Sequence, residues 1–410
     1  MIQFDVDFAR SQFPAFASAA LAGQAFFENA GGSYTCKPVI DRLTRFYHDR
    51  KVQPYAPYET AQLAGAEMDE ARARLAALMG VAWDEVSFGP STSANTYVLA
   101  QAVRQWLTGT GGAIVVTNQD HEANSGVWRR LAEAGVELRE WRIDPETGHL
   151  DPAALAVLLA DGKVRLVCFP HCSNVVGEIN PVADICAMAR AAGAYTCVDG
   201  VSYAPHGFPD IPVLGADVYL FSAYKTYGPH QGIMVIRRGI GAELPAQGHY
   251  FNADTLYKRF TPAGPDHAQV AACAGMADYV DALYLHHFGG MAEPLARNVA
   301  VQALMRGHEE RLLAPLLDYL AARKGLRLLG PRRAKARAPT VAVALDRAAE
   351  PVAAALAGHG IMAGGGDFYA LRPLAAMGVD PARGVLRLSF VHYTSQAEVA
   401  RLILALDQVL

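Results

Sequence analysis

An aspartate and a lysine each follow a short apolar run in the segment 194–238. The run Tyr195–Val198 ends at Asp199, and the run Val218–Phe221 leads, after three residues, to Lys225. Short runs of β-branched and aromatic residues bounded by Gly, Pro or Asp are typical of buried strands. Because ligands of open α/β sheets bind beyond the carboxyl ends of the strands, both side chains are predicted to lie at a ligand site.

A lysine in this position can perform covalent chemistry. Its amine forms a Schiff base with a carbonyl substrate or with pyridoxal 5′-phosphate (PLP). The pyridine nitrogen of PLP takes a carboxylate partner, for which Asp199 is the candidate. The alternative is that Lys225 is a salt-bridged lysine at a strand end, and the spacing alone does not decide between the two.

The residues around Lys225 form a more specific pattern. The order VDG, VYLFSAYK, TYGP and GIMVIRR resembles the PLP site of the class V aminotransferase family, in particular the cysteine desulfurases and selenocysteine lyases. The family has VDG, then a strand ending in Ser-x-His-Lys, a glycine-rich turn and another strand. The resemblance extends from about Phe27 to the C-terminus. It implies that Lys225 holds PLP, that Asp199 pairs with its ring nitrogen, and that Ser222 and Tyr224 belong to the cofactor site.

A second candidate region follows the predicted strand Val86–Phe88. A turn leads through Ser91, Thr92 and Ser93 into a predicted helix. Free backbone N–H groups and the positive end of a helix dipole bind anions at such a turn. The alternative is an ordinary Ser or Thr helix cap. The family binds the PLP phosphate here, so the resemblance implies phosphate binding by these three residues.

Two further candidates each follow a predicted strand, and a third candidate lies within a predicted strand. Ala113–Thr117 precedes His121 in the run DHEAN, and Val164–Phe169 precedes Asn174 in the run HCSNVVG. The resemblance implies that His121 stacks on the PLP ring and moves protons, and that Asn174 contacts the ring oxygen near the substrate carboxylate. Arg387, in LRLSFVHY, matches the arginine that binds this carboxylate. The alternatives are a surface histidine and a surface arginine on an edge strand.

Several positions depart from the family pattern. Ser202 replaces a Gln that hydrogen-bonds to the ring oxygen, and Tyr224 replaces a His. The segment Arg259–His267 lacks the Thr that reaches the phosphate of the partner subunit. In the desulfurases the region of Gly364–Gly366, here predicted to be a loop, carries the catalytic Cys, but this chain has no cysteine after Cys273.

Only Cys36 and Cys172 are predicted near the pocket, and neither has the family's position. We therefore expect no persulfide on the protein, because that chemistry needs a reactive thiolate. The six cysteines are scattered along the chain, which argues against disulfides, and no second pair of ligands supports a metal site.

Composition excludes several classes of function. The chain has 410 residues, of which 52% are hydrophobic and 19% charged, and its formal net charge is −4. Such a chain folds around a large core, and its charge balance favours neither nucleic acid nor an anionic membrane as a partner. The N-terminus does not resemble a signal peptide, and no apolar run reaches the ~20 residues of a membrane span. We expect a cytoplasmic protein.

The order of the predicted elements favours an α/β fold. Strands separated by helices predict a mostly parallel sheet with helices on both faces. The expected architecture is a three-layer αβα fold of the PLP-transferase type with a smaller α+β C-terminal domain. The predicted divisions are an N-terminal arm, residues 1–25, that packs on the small domain, a large PLP-binding domain, 26–284, and the small domain, 285–410.

The resemblance implies a PLP-dependent enzyme that acts on a small amino acid as a homodimer. The first expectation is a lyase similar to cysteine desulfurases that cleaves a C–S or C–Se bond without the usual persulfide. The second is a class V aminotransferase or epimerase. The third is an inactive PLP-binding homologue, against which the presence of Lys225, Asp199 and Arg387 argues.

Overall fold

The computed structural model of the protein describes residues 2–410. Its strands are β1 (Ala25–Phe26), β2 (Val86–Gly89), β3 (Ala113–Thr117), β4 (Glu137–Trp141), β5 (Val164–Pro170), β6 (Tyr195–Asp199), β7 (Val218–Ser222), β8 (Gly232–Ile236), β9 (Leu326–Leu328), β10 (Thr340–Leu345), β11 (Ile361–Met362), β12 (Gly364–Gly366) and β13 (Val385–Ser389). Its helices are α1 (Val6–Ser11), α2 (Lys37–Arg45), α3 (Glu59–Met79), α4 (Thr92–Thr110), α5 (Glu122–Arg129), α6 (Pro152–Leu159), α7 (Val182–Ala191), α8 (Ile211–Leu214), α9 (Arg238–Glu243), α10 (Leu256–Arg259), α11 (His267–Ala272), α12 (Ala274–Phe288), α13 (Pro294–Ala322), α14 (Ala349–Gly358), α15 (Leu371–Ala376) and α16 (Gln396–Val409). Within residues 2–410, none of these helices combines the length and the apolar character needed to cross a bilayer.

Seven strands form the central sheet, in the order β2–β8–β7–β6–β5–β3–β4. All neighbours are parallel except β8, which is antiparallel to both β2 and β7. The strands β3, β7 and β8 are buried along their whole length. Continuous apolar strands of this kind need cover on both faces of the sheet.

The two faces of the sheet pack on different helices. Ile114 and Val116 point into a core formed with α4 and α5. The intervening Val115 points to the opposite face, where the core includes α3, α7 and α12. This alternation follows from the two-residue period of a strand. The predicted three-layer fold with a mostly parallel sheet is confirmed.

The C-terminal part has a four-stranded antiparallel sheet, in the order β12–β13–β10–β9. Its core contains side chains from α13, α14 and α16.

The predicted loop at Gly364–Gly366 is wrong, because this segment is β12, in which Gly364 pairs with Arg387 and Gly366 with Val385. Glycine weakens a strand, but it permits close backbone approach, and a Cβ on Gly365 would lie 2.6 Å from the carbonyl carbon of Ala349.

The N-terminal arm contains one short α-helix, α1. It packs against the C-terminal part of the chain: Arg10 pairs with Glu398 at 2.8 Å, and the ring centroids of Phe13 and Tyr393 are 4.8 Å apart. Phe13 also packs on Tyr279, which belongs to α12. The arm therefore contacts both parts of the molecule, and the three domain ranges remain a prediction.

Candidate active site

The predicted site residues come together at the carboxyl edge of the central sheet. Strands β3, β5, β6 and β7 run in the same direction, so the residues that follow them meet at this edge. All the predicted site residues except Ser91 and Arg387 line one cavity there. The cavity also contacts Cys172.

Lys225 lies in the cavity with a free amine. It is buried, and its Nζ has no hydrogen bond or ion pair with any of residues 2–410. Burial lowers the pKa of Lys225 to about 8; the nearby Arg387 acts in the same direction, whereas Asp199 and Glu28 oppose it. A lysine with such a pKa is partly uncharged near neutral pH and is therefore a nucleophile.

Asp199 lies at the end of β6, and its carboxylate faces the same cavity. Burial raises the pKa of Asp199 to about 6, while a hydrogen bond from the backbone N–H of Val201, at 2.8 Å, and the charge of Lys225 act against this rise. The carboxyl group is thus mostly ionised at pH 7, and a cationic partner in the cavity would favour the ionised form further.

The turn after β2 provides hydroxyl groups at the beginning of α4. Thr92 and Ser93 line the cavity, and the hydroxyls of Thr92 and Ser222 lie 2.7 Å apart. The Ser91 side chain acts otherwise: its Oγ accepts a hydrogen bond from the backbone N–H of Ala94, at 3.1 Å. Ser91 is therefore the helix cap that the alternative interpretation described, and the hydroxyls that face the cavity come from its neighbours.

His121 is held in one tautomer. Its Nδ1 accepts a hydrogen bond from the backbone N–H of Ala123, at 3.1 Å, so the neutral ring carries its proton on Nε2. Burial, Lys225 and Arg387 lower the pKa of His121 to about 4. The imidazole is therefore neutral at physiological pH and adds no charge to the cavity. Its ring lies beside that of Tyr369, with the centroids 5.5 Å apart.

Asn174 connects the cavity to the C-terminal part of the chain. Its Nδ2 donates to the backbone oxygen of Phe368, at 2.9 Å, and its own backbone oxygen accepts from Nη1 of Arg387, at 3.3 Å. The buried Oδ1 of Asn174 has no hydrogen-bond partner among residues 2–410. Arg387 does not line the cavity wall; it lies behind Asn174 and pairs with Glu28.

Comparison with known proteins assigns the family. The sequence model of the family described as aminotransferase class-V matches residues 25–402. The chain belongs to the class V aminotransferase family. The aminotransferase-like protein FGM3 of Gibberella zeae is 31% identical over 99% of this chain and 99% of its own length. A cysteine desulfurase of Serratia proteamaculans is 29% identical over 100% of this chain and 99% of its own length.

Solved structures show the same fold. The apo structure of a cysteine desulfurase from Thermococcus onnurineus has a TM-score of 0.84 at 23% identity, covering 100% of this chain and 99% of that one. A cysteine desulfurase of Escherichia coli has a TM-score of 0.77 at 22% identity, over 99% and 98% of the two chains. At such identities the similarity shows the fold, and the family assignment rests on the sequence.

Class V aminotransferases are PLP-dependent enzymes, and so is this protein. The residues at the cavity fit PLP. Lys225 offers an amine without a partner, and Asp199 offers a carboxylate for the ring nitrogen. The hydroxyls at the beginning of α4 and the free N–H groups of its first turn suit a phosphate. The unpartnered Oδ1 of Asn174 is a further polar group at the same place.

Two of the positions that depart from the family pattern, Ser202 and Tyr224, line the cavity as well. The Tyr224 ring is stacked on that of His230, with centroids 5.0 Å apart and planes inclined by 7°. This stack orients the Tyr224 ring at the cavity, although a tyrosine brings no positive charge to a phosphate, as a protonated histidine does.

Neither of the cysteines predicted near the pocket has a reactive thiol. Cys172 lines the cavity, but its Sγ donates to the backbone oxygen of Gly177 at 3.3 Å. Cys36 does not line the cavity, and its Sγ donates to the backbone oxygen of Gly275 at 3.7 Å. Burial raises the pKa of both thiols to about 12. At neutral pH both are thiols rather than thiolates, which disfavours sulfur transfer.

Two residues that sequence reasoning did not assign to the site contact Arg387. Glu28 pairs with its guanidinium, and the centroid of the Phe368 ring lies 3.7 Å from its Cζ. Glu28 directly precedes a turn of small residues, Asn29–Gly32. The carboxylate immediately before that turn was the one sequence feature that could have pointed to Glu28, but nothing in the sequence indicated that its partner is Arg387.

Proposed function

We propose that this protein is a lyase that cleaves a C–S or C–Se bond at Cβ of a small amino acid and does not pass the leaving group to a protein thiol. The observation that carries the proposal is the state of the thiols. Among residues 2–410, Cys172 is the sole cysteine at the cavity, and burial raises the pKa of this thiol to about 12. Membership of a family whose relatives include cysteine desulfurases supports the class of substrate.

The cavity residues have distinct parts in this reaction. PLP, when bound, supplies an electron sink for the bonding electrons of the substrate. Lys225 would hold the cofactor and, when its amine is free, could take the proton from Cα. Asp199 would hold the proton on the ring nitrogen, which keeps the sink effective. His121 is neutral, so it could pack on the ring without adding charge, and its Nε2–H could donate a hydrogen bond.

Transamination or epimerisation is the second candidate. Both reactions need Lys225 to move a proton at Cα, and neither needs a thiolate. The protonated thiol of Cys172 is therefore compatible with them as well. The relative described as aminotransferase-like supports the same candidate. An inactive PLP-binding homologue is disfavoured, because the uncharged fraction of Lys225 and the nearby Asp199 are features of a working site.

The active form is proposed to be a homodimer. The family builds its sites at a subunit interface, and the segment that precedes Arg259–His267 exposes large apolar side chains. Tyr250 is 90% and Phe251 70% exposed. Aromatic side chains exposed next to each other favour a protein interface.

Product analysis tests the proposal. The protein loaded with PLP is incubated with L-cysteine, L-selenocysteine, cysteine sulfinate and a panel of amino acids and keto acids. Release of selenide, sulfide or sulfite identifies the lyase; a new amino acid formed from a keto acid identifies transamination; and loss of optical activity identifies epimerisation. We expect little sulfide from L-cysteine, because a thiolate leaves less readily than a selenide or a sulfinate.

Mass spectrometry after turnover tests the part of the thiols. We expect no +32 Da adduct on the protein, and the variant Cys172→Ala should retain the reaction apart from a packing loss at this buried position. An adduct on Cys172 or Cys36, together with loss of sulfide release when that residue is replaced, would show that a protein thiol does carry the sulfur.

A further inference from the structure

Glu28 and Arg387 form an ion pair beside the cavity. Nη2 of Arg387 donates to Oε1 of Glu28, and the side chains are 3% and 26% exposed. Arg387 is further held by the backbone oxygen of Asn174 and by the ring of Phe368. In the family this arginine is expected to bind the substrate carboxylate. Here its nearest carboxylate belongs to the chain itself.

Two glycines make room for the carboxylate of Glu28. A Cβ on Gly364 would lie 2.8 Å from Oε2, and a Cβ on Gly31 would lie 3.0 Å from Oε1. Neither glycine has a positive φ, so the backbone conformation does not require glycine at these positions. A side chain at either position would therefore require the carboxylate of Glu28 to move.

The backbone places Glu28 firmly beside β13. Glu28 forms a parallel bridge with Ser389, and the N–H of Asn29 donates to the backbone oxygen of Ser389 at 3.2 Å. Glu28 thus lies next to the strand that carries Arg387, and any exchange of partners involves side-chain rotation rather than a movement of the backbone.

Three buried polar atoms at this place have no hydrogen-bond partner among residues 2–410. They are Oε2 of Glu28, Nε of Arg387 and Oδ1 of Asn174. An unpaired buried polar atom is costly, so such atoms are rare, and a group of them indicates that a ligand completes the arrangement. The atoms comprise a donor on a cation and two acceptors, so a ligand that completes the arrangement must both accept and donate hydrogen bonds.

We propose that Glu28 is a specificity-determining residue that competes with the substrate carboxylate for Arg387. The inference rests on the proposed function, whose amino-acid substrate needs a carboxylate site, and takes Arg387 as that site. While Glu28 is paired with Arg387, the pair has no net charge, and the substrate carboxylate is repelled by the negative charge of Glu28. When Glu28 turns away, the guanidinium can bind the substrate carboxylate. Compared with a site whose arginine is unpaired, this site therefore accepts amines that lack an α-carboxylate more readily.

Propionate is a suitable probe, because it has a carboxylate but no amine and so cannot react with PLP. Its affinity for the PLP-loaded protein is measured by calorimetry in the wild type and in Glu28→Gln, Arg387→Gln and Glu122→Gln. We expect Glu28→Gln to bind propionate about tenfold more tightly, which corresponds to about 1.4 kcal/mol. Binding should be lost in Arg387→Gln.

Glu122→Gln is the matched control. Glu122 pairs with Arg372 at 3.1 Å and joins the same two parts of the chain, but it does not contact Arg387. Its propionate affinity should remain within about twofold of the wild type, well below the tenfold change of a charge-assisted contact. An equal gain in both variants would overturn the inference, because it would reflect net charge rather than competition at Arg387.

Unchanged or weaker propionate binding in Glu28→Gln would also overturn the inference, because Glu28 would then position Arg387 instead of competing for it.

If Glu28→Gln does not fold, the propionate affinity of Glu28→Ala and a second measurement on the wild type still test the inference. For the wild type, L-alanine and ethylamine should perturb the visible band of PLP at concentrations within about tenfold of each other; a preference for L-alanine of about a hundredfold or more would refute competition. Failure to bind propionate in every variant would overturn the carboxylate site, whereas product analysis tests the proposed reaction independently.

Discussion

The lowered pKa of Lys225 predicts how fast the apoprotein takes up PLP at each pH. Burial and Arg387 hold this pKa at about 8, compared with about 10.4 for an exposed lysine. Only the uncharged amine attacks an aldehyde. At pH 7 the uncharged fraction is about 10% with the lowered pKa and about 0.04% with the ordinary one, a difference of roughly 200-fold.

The rate of uptake is measured by mixing apoprotein with PLP between about pH 6 and pH 10 and following the visible band. The rate should rise about tenfold per pH unit below the pKa of Lys225 and become constant above about pH 8, where the amine is uncharged. N-acetyl-lysine under the same conditions, with the titration of its own amine at about 10.4 divided out, corrects for the titration of PLP itself. A corrected rate that continues to rise up to pH 10 would refute the reasoning.

Two variants should move this pH profile in opposite directions. The carboxylate of Glu28 raises the pKa of Lys225, so in Glu28→Gln the rate of PLP uptake should stop rising at a lower pH than in the wild type. The guanidinium of Arg387 lowers that pKa, so in Arg387→Gln the rate should stop rising only at a higher pH. Shifts in the same direction would contradict an electrostatic origin, because a general loosening of the cavity does not depend on the sign of the removed charge.

Lys225→Ala should lose the yellow adduct that borohydride fixes, and labelling of another lysine would contradict the site assignment. Asp199→Ala should lower kcat far more than the affinity for PLP, because a buried partner of the ring nitrogen is lost; a kcat near that of the wild type would exclude this role. Light scattering at assay concentration should show a dimer, whereas a fully active monomer would contradict the interface. Gly364→Ala should lower the free energy of unfolding by about 1–3 kcal/mol, because its Cβ would meet Glu28. Glu28→Ala should restore part of this loss, and strictly additive effects in denaturant unfolding would show that the two residues are uncoupled.

The residues at the strand ends could be predicted from the sequence for a simple reason. A buried parallel strand is recognisable from a short apolar run, and the topology brings the carboxyl ends of such strands to one edge. Lys225, Asp199, His121 and Asn174 each follow one of these runs, so local patterns were sufficient to place them in one cavity.

Ser91 shows the limit of a local pattern. A hydroxyl at the beginning of a helix either caps the helix or faces a ligand, and both uses favour the same residue types. Only the direction of the side chain distinguishes them, and it depends on the turn. In the structure Ser91 is the cap, whereas Thr92 and Ser93 face the cavity.

The contact between Glu28 and Arg387 could not be predicted, because the two residues are 359 positions apart. No periodicity or spacing relates positions so distant in the chain. The same holds for β12, since three consecutive glycines predict a loop on propensity alone. Its pairing with β13 overrides that propensity, and at Gly365 the backbone of Ala349 leaves no room for a side chain.

Gly364 connects the segment that lacks a cysteine with the ion pair at Arg387. A side chain at this position would meet Oε2 of Glu28 and the Phe368 ring, each 2.8 Å from the Cβ. A side chain at Gly364 would therefore displace the carboxylate of Glu28 and the Phe368 ring, which both contact Arg387. A side chain at this position and the ion pair of Glu28 with Arg387 thus compete for the same space. Under the proposed competition between Glu28 and the substrate carboxylate, filling this space would also change how Arg387 meets a substrate.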